Sequence, residues 1–175
     1  YPDEKIDIRV ISSFGSGYYC EITDGRRISS EEIDSLRAEM LKIVELDLPI
    51  RKYVEKTVDA RKRFREEGLY AKDSLLKYRS SSNINIYELD GFSDYFYGFM
   101  VPSSGYLKYF DLAQFGEGFV LIFPSKKDGV SMAPFEPEYK LYEVIKEAKS
   151  WSKTMGIPSV GALNDAIAAG KTREI

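Results

Sequence analysis

Short alternating segments near the start of the chain predict a β-hairpin. Residues 6–12 alternate apolar and polar side chains, which is the period that places every second residue on one face of a strand, and residues 18–23 have the composition of a second strand. Gly15 and Gly17 stand between the two segments and allow a tight turn. We therefore expect two paired strands before residue 24.

The next segment has the repeat of an amphipathic helix. Ser29 and Glu32 have the spacing of a capping box, and Pro49 prevents the helix from continuing. The sequence therefore predicts one long helix from about residue 30 to 46. Its apolar stripe consists of Ile33, Leu36, Met40, Ile43 and Val44.

The rest of the chain mixes short strands with helices. Strands are predicted at 50–57, 84–89, 92–99, 106–113 and 118–123, and helices at 57–68, 72–79, 136–155 and 160–169. This order predicts an α+β fold: a two-layer domain with an antiparallel or mixed sheet packed against the long helix, followed by C-terminal helices. We expect the long helix to pack on a sheet that contains residues 84–89 and 106–123.

Size and composition indicate one folded domain with an appendage. The chain has 175 residues, of which 43% are hydrophobic and 14% aromatic, so disorder is excluded as a description of the whole. The change to a helical pattern after residue 135 predicts a domain over residues 1–135 and a helical appendage over residues 136–175.

Charge is concentrated in the middle of the chain. Residues 51–79 carry ten basic and five acidic groups, whereas the whole chain has a formal net charge of −3. Such a segment forms either an RNA-binding surface, with strongly salt-dependent affinity, or a solvated helix face. The candidate RNA-binding residues are Arg61, Lys62, Arg63 and Arg65.

Two residue counts restrict the chemistry. The chain has no histidine and a single cysteine, Cys20, which excludes histidine-activated nucleophiles, histidine-ligated zinc and an internal disulfide. Without an imidazole base, Cys20 is expected to pack in the interior. The lone thiol and the absence of a membrane-length apolar run predict a cytoplasmic protein with no membrane partner.

The motif Gly170-Lys171-Thr172 imitates a nucleotide-binding loop. A phosphate-binding loop has a further glycine five residues before its second glycine, and here that position is Asp165. The preceding residues have a helical pattern, so we expect Gly170 to end a helix.

Residues 94–105 carry the most distinctive pattern. They resemble the second N-terminal domain of bacterial threonyl-tRNA synthetase, the editing domain that hydrolyses serine mischarged on threonine tRNA. Phe96 stands where that family has cysteine, and Met100 where it has histidine. The matching positions are Asp94, Gly98, Val101 and Pro102.

The resemblance covers about residues 1–125. Residues 17–22 are similar to a strand of the family, residues 29–48 to its long helix, and Lys72 stands where the family has a functional lysine. Tyr1-Pro2-Asp3 resembles the end of the helix that carries the family's His-x-x-x-His pair, which implies that those histidines would lie upstream. The fold implied is that of the domain common to threonyl- and alanyl-tRNA synthetases.

The tail indicates one branch of this family. Residues 160–165 and 170–175 are similar to the linker of bacterial uridine-kinase-like proteins, in which a synthetase-like region precedes a kinase of the phosphoribulokinase/uridine kinase family. The resemblance implies that this chain is a fragment, with a kinase domain of the same longer chain as its partner. No cofactor is expected in the fragment itself, and ATP and Mg²⁺ would bind only in the missing kinase domain.

Two functions remain open at this point. The first is a non-catalytic binding or regulatory module attached to a nucleoside kinase, with RNA or a small molecule as its ligand. The second is an aminoacyl-tRNA deacylase. The resemblance implies a pocket, although Tyr18 or Tyr19 could instead belong to the core, Asp94 to a turn and Lys72 to the surface. The candidate pocket residues are Lys72, Asp94, Tyr18, Tyr19, Phe96 and Met100.

Overall fold

The computed structural model describes residues 7–132 and 134–171. Tyr1-Pro2-Asp3, Thr172 and residues 173–175, which contribute to the resemblances above, lie outside the described residues. The chain forms two compact units, one from Tyr1–Leu48 and Ser103–Ile145 and the other from Pro49–Pro102 and Lys146–Ile175.

The α+β class is confirmed, and every strand pairing in the described residues is antiparallel. The strands are β1 (Ile8–Phe14), β2 (Gly17–Ile22), β3 (Arg51–Lys56), β4 (Asn83–Leu89), β5 (Phe92–Tyr95), β6 (Asp111–Phe115) and β7 (Gly118–Ile122). The helices are α1 (Ser30–Glu45), α2 (Thr57–Glu66), α3 (Tyr70–Lys77), α4 (Tyr139–Thr154) and α5 (Val160–Ala168), and a 3₁₀ turn spans Ser104–Tyr106.

The first unit is built on a four-stranded sheet in the order β1-β2-β7-β6. The predicted hairpin is confirmed: Phe14 pairs with Gly17 across a two-residue turn. Gly118 on β7 permits a close approach to β2, because a Cβ atom there would lie 1.9 Å from the carbonyl oxygen of Cys20. The middle strands therefore depend on a residue without a side chain.

Helix α1 covers one face of this sheet. Its capping box is confirmed, since Glu32 N–H donates to Ser29 Oγ and Ser29 N–H donates to the Glu32 carboxylate. Ile33 is buried in a cluster with Cys20, Ile22, Ile28, Leu112 and Phe119, and Leu36 and Met40 pack against it. Ile43 is 38% exposed, so the buried stripe is shorter than its periodicity predicted.

The opposite face of the sheet carries an aromatic cluster. Tyr19 and Val120 are adjacent in sequence to Cys20 and Phe119, which face α1, so their side chains point to the other face of the sheet. There they pack with Tyr142 from the first turn of α4. The remaining buried members are Phe14, Phe115 and Ile122. The sheet of the first unit is therefore covered on both faces.

The second unit contains a three-stranded sheet in the order β3-β4-β5. Asp90 and Gly91 join β4 to β5 with φ values of 48° and 81°, the left-handed pair that a two-residue hairpin turn requires. Phe64 of α2 and Leu76 of α3 pack on Ile86 of β4 to form the core of this unit. Helix α5 lies against α3, with Gly161 so close to Ser74 that a Cβ atom would meet its side chain at 2.9 Å.

The prediction of one sheet containing residues 84–89 and 106–123 is wrong. Residues 84–89 lie in β4 of the second sheet, whereas β6 and β7 belong to the first sheet. The predicted strand at 92–99 ends at Tyr95, and residues 104–106 form a 3₁₀ turn rather than the start of a strand. The boundary at residue 135 between a domain and an appendage stays a prediction.

The end of α5 explains the false nucleotide-binding motif. Gly170 has a φ of 77°, its N–H donates to the carbonyl of Ile167, and Lys171 N–H donates to that of Ala166. These bonds form the glycine-terminated helix end expected from the sequence.

Candidate functional site

The second unit brings Lys72 and Asp94 together. Lys72 lies on the first turn of α3, and Asp94 lies on β5 opposite Tyr87 of β4. Lys72 Nζ is 2.7 Å from Asp94 Oδ2, and both side chains are partly buried. The other carboxylate oxygen accepts the N–H of Tyr95 at 2.8 Å. Two residues that lie 22 positions apart in the sequence therefore form one fixed ion pair.

The core of this unit holds the lysine in place. Lys72 Nζ lies 5.4 Å from the ring centroid of Phe64, and Phe64 is completely buried between α2 and the sheet. An ammonium over an aromatic face is attracted by the ring quadrupole, an effect of about 0.5–1 kcal/mol at exposed sites and more when water is excluded. The ring and the carboxylate together fix the direction of the Lys72 side chain.

Apolar side chains follow the ion pair along the chain. Phe96 and Met100 are both exposed. The Phe96 ring stacks edge-on against Tyr87 with 6.2 Å between centroids, and the Tyr87 hydroxyl donates to the carbonyl of Gly98 at 2.9 Å. This hydrogen bond folds the loop after β5 back over β4. The loop thus presents an apolar surface, to which Phe99 adds a side chain that is 93% exposed.

Two cations beside this surface were not predicted as site residues. Lys52 Nζ lies 5.3 Å from the ring centroid of Phe99 and 5.9 Å from that of Tyr87, and the Arg79 guanidinium lies 4.4 Å from the Tyr97 ring. Both belong to the basic segment 51–79, so charge was the only sequence signal that could have indicated them. Their contacts with aromatic rings depend on the fold of the loop after β5.

The two tyrosine candidates lie in the first unit, on β2. Tyr19 is completely buried in the aromatic cluster, as in the alternative that placed it in the core. Burial raises the pKa of its phenol far above the ordinary value, and Tyr142 and Glu21 add to the shift, so Tyr19 is protonated at neutral pH. Tyr18 is 43% exposed and stacks edge-on against Phe123 with 5.1 Å between centroids.

The arginines of α2 are paired with carboxylates of the same unit. Arg61 and Arg65 both donate to Asp73 on α3. Arg63 donates to Glu55 at 2.9 Å, with further bonds to Glu67 and Ser93. Lys62 is 77% exposed, and its ion pair with Glu66 is long, with 3.9 Å between Lys62 Nζ and a carboxylate oxygen. An RNA phosphate would therefore compete with carboxylates for the three arginines among the four candidate residues. RNA binding by these residues stays a prediction.

The single thiol is not available for chemistry. Cys20 is buried on β2, and burial raises its pKa to about 11, so the reactive thiolate is nearly absent at neutral pH. Within residues 7–132 and 134–171, no group of three His, Cys, Asp or Glu side chains is placed to hold a metal ion. None of the helices in the described part of the chain is long and apolar enough to cross a membrane.

No protein-family model matches this sequence, but the chain is similar to threonine–tRNA ligases. It is 35% identical to the enzyme of Carboxydothermus hydrogenoformans over 109 residues, which cover 62% of this chain and 17% of the enzyme. It is 29% identical to the enzyme of Fusobacterium nucleatum over 114 residues, covering 64% of this chain and 18% of the enzyme. The enzyme of Thermus thermophilus is 29% identical over 109 residues, which cover 60% of this chain and 16% of that enzyme.

The chain thus spans less than a fifth of the length of these relatives. The similarity extends over about 60% of this chain.

Proposed function

We propose that this chain is a non-catalytic binding or regulatory module derived from the editing domain of a threonyl-tRNA synthetase. One observation carries the proposal: the Lys72–Asp94 ion pair is intact, whereas Phe96 and Met100 occupy the positions where the resembled family has cysteine and histidine. The charged pair can orient a polar group of a ligand. The exposed apolar side chains that follow it suit binding rather than hydrolysis.

The chemistry of ester hydrolysis supports this proposal. The reaction requires a positioned water, a group that takes its proton and donors for the developing oxyanion. Phenylalanine and methionine supply none of these, and the Lys72 ammonium is already engaged by Asp94. A general base typically contributes about 10²- to 10⁴-fold in rate, so its loss leaves little more than background turnover.

The proposal includes a context for the module. By its resemblance, the chain is the N-terminal part of a uridine-kinase-like protein, and the whole protein would phosphorylate a nucleoside with ATP. ATP and Mg²⁺ would then bind in the kinase domain, and the protein would act in the cytoplasm. The reading frame that contains this chain tests the context: a phosphate-binding loop downstream would support it, and its absence would remove the kinase from the proposal.

The second candidate function is deacylation of serine from threonine tRNA. The intact Lys72–Asp94 pair favours it, because these two residues stand where the resembled family has residues of its editing site. The relatives are named threonine–tRNA ligases, which is consistent with either function.

Serine release from mischarged threonine tRNA distinguishes the two functions. We expect the purified chain to match the no-enzyme rate, and the Lys72→Ala, Asp94→Ala double variant to match it as well. A rate well above background that the double variant abolishes would replace the binding module with the deacylase. Phe96→Cys with Met100→His should not restore turnover, because the His-x-x-x-His pair of the resembled family would still be absent.

The ligand of the module is tested separately from catalysis. RNA binding through α2 predicts an affinity for threonine tRNA that falls steeply with salt concentration. Lys62→Ala should then lower that affinity without destabilising the fold, since Lys62 is exposed. No measurable affinity for threonine tRNA even at low salt would exclude RNA and leave a small molecule as the ligand.

A further inference from the structure

The first unit contains a surface cavity that no residue of the proposed module site lines. Its volume is about 810 Å³, within the range of about 300–1,000 Å³ that is usual for small-molecule sites. The cavity lies between the end of α1 with the residues just after it and the 3₁₀ turn with the residues that follow that turn. Its lining residues are Leu41, Val44, Glu45, Asp47, Gly105, Tyr106, Lys108 and Tyr109.

Hydrogen bonds connect the two walls and preform the cavity. The buried Ser104 hydroxyl donates to the carbonyl of Ile43 at 2.6 Å and accepts the N–H of Leu48 at 2.8 Å. Gly105 N–H donates to the Asp47 carboxylate at 3.1 Å. A Cβ atom on Gly105 would lie 2.2 Å from that carboxylate, so a side chain at this position would displace Asp47. A preformed cavity loses little conformational entropy when it binds a ligand.

Two opposite charges in the cavity have no partner in the described part of the chain. Neither Glu45 nor Lys108 forms an ion pair or a side-chain hydrogen bond with residues 7–132 or 134–171. Glu45 ends α1, where the helix dipole adds negative potential and favours a cation. Lys108 provides a cation on the opposite wall, where an anionic group can bind.

Apart from Asp47 and Gly105, which are hydrogen-bonded to each other, the rest of the lining is apolar and aromatic. Leu41 and Val44 come from α1, while Tyr106 and Tyr109 are exposed and make no ring contact with any described residue. Such rings can bury an apolar group, and their faces attract an ammonium. The cavity thus combines an apolar lining with one unpaired acid and one unpaired base.

We propose that this cavity binds a small zwitterion with an apolar side chain, of the class of free amino acids. The ligand ammonium pairs with Glu45, the ligand carboxylate pairs with Lys108, and the side chain contacts the tyrosine rings. A simple anion is disfavoured by Glu45, Asp47 and the end of α1. A simple cation is repelled by Lys108 and leaves that lysine without a partner. Only a ligand with both charges satisfies both walls.

Three related probes test the proposal by chemical-shift titration of the whole chain. L-phenylalanine has both charges, phenethylamine lacks the carboxylate, and 3-phenylpropionate lacks the ammonium. We expect L-phenylalanine to bind with a Kd of about 1 mM or tighter, and each of the other two probes to bind about tenfold more weakly. The shifted amides should belong to α1 and residues 105–109.

Variants that remove one charge of the cavity should change the affinities of the three probes differently. Glu45→Gln should weaken L-phenylalanine about tenfold and leave 3-phenylpropionate no weaker than before, whereas Lys108→Met should weaken L-phenylalanine and not phenethylamine. Glu39→Gln and Lys126→Met change the same charges outside the cavity and should leave all three affinities unchanged.

Three results would overturn the proposal. The first is no saturable shift with L-phenylalanine or L-leucine up to about 10 mM, where a Kd of about 1 mM would give near saturation. The second is equal affinity for L-phenylalanine and phenethylamine. The third is an L-phenylalanine affinity that neither charge variant alters. Because the probes contain no RNA or ester, these results are independent of the deacylation assay.

Discussion

Asp73 joins α2 to α3, and its replacement tests whether ion pairs hold these two helices of the second unit together. Its carboxylate accepts from Arg61 Nε at 2.8 Å and from Arg65 Nε and Nη2 at 3.1 and 3.3 Å. Asp73→Asn keeps the size of the side chain and removes its charge. Both guanidinium groups would then lose an ionic acceptor, while the packing of Phe64 and Leu76 beneath them stays the same.

The expected loss follows from the exposure of each partner. Asp73 and Arg61 are 17% and 27% exposed, so their charge-assisted hydrogen bond is worth about 1.5 kcal/mol. Arg65 is 54% exposed, and water screens its pair to about 0.5 kcal/mol. Asp73→Asn should therefore lower the free energy of unfolding by about 2 kcal/mol, which corresponds to a fall in Tm of about 4–8 °C for a chain of this length.

Urea denaturation followed by circular dichroism measures this loss. Glu66→Gln is the matched control, because Glu66 is 67% exposed and lies 3.9 Å from the exposed Lys62. It should change the free energy of unfolding by less than about 0.5 kcal/mol. If Asp73→Asn were no more destabilising than Glu66→Gln, the two arginines would not hold α3 against α2.

The stability difference between the parent chain and Asp73→Asn should depend on pH in a defined way. Burial alone would raise the pKa of Asp73, but hydrogen bonds from Arg65 and Arg61 outweigh burial and hold that pKa below its ordinary value. The carboxylate therefore stabilises the fold above the unfolded-state pKa of about 3.9, and this stabilisation is lost as the pH falls through the folded-state pKa. The difference between parent and Asp73→Asn should be constant from about pH 5 to 7 and shrink below about pH 4.

Three further predictions concern other parts of the chain. Cys20 should resist alkylation at about pH 8 in the folded chain and react after denaturation, as measured by mass spectrometry, because burial raises its pKa to about 11; rapid labelling of the folded chain would contradict this. Gly105→Ala should lower the free energy of unfolding by roughly 1–3 kcal/mol in urea denaturation, because its Cβ would lie 2.2 Å from Asp47, and unchanged stability would contradict the close contact. Asp165→Asn should speed amide hydrogen exchange in α5, because the carboxylate accepts hydrogen bonds from three side chains of the segment at and just after α3; unchanged exchange would show that these bonds do not hold α5.

The elements with local signals were predicted well. The capping box of α1 depends on Ser29 and Glu32, three residues apart, and both of its hydrogen bonds form. Ser159 caps α5 with a single bond, which its side chain accepts from the N–H of Ala162. Each of these contacts is determined within one helical turn, so the sequence around it contains all the information required.

The assignment of strands to sheets required information that no local pattern holds. Residues 84–89 alternate as a strand in either sheet, and the partner is decided by the short Asp90-Gly91 turn and by packing on Phe64. The same limitation applies to α4, where Val144 and Trp151 share one apolar stripe at helical spacing, but both are exposed and Tyr142 is buried. Tyr142 is selected by the shape of the aromatic cluster around Tyr19, which is formed by residues distant in sequence.

Charge counts along the chain did not locate the available charges. The excess of basic residues at 51–79 predicts either an RNA-binding surface or a solvated helix face, and in the structure Arg61, Arg63 and Arg65 each pair with a carboxylate of the same unit. Conversely, Glu45 and Lys108 stand in segments without a basic excess and have no ion-pair partner in the described part of the chain. A ligand gains the most from a charge that the fold leaves without a partner, because it replaces water and not an existing ion pair. The two unpaired charges therefore support the proposed amino-acid site, which the net charge of a sequence segment does not indicate.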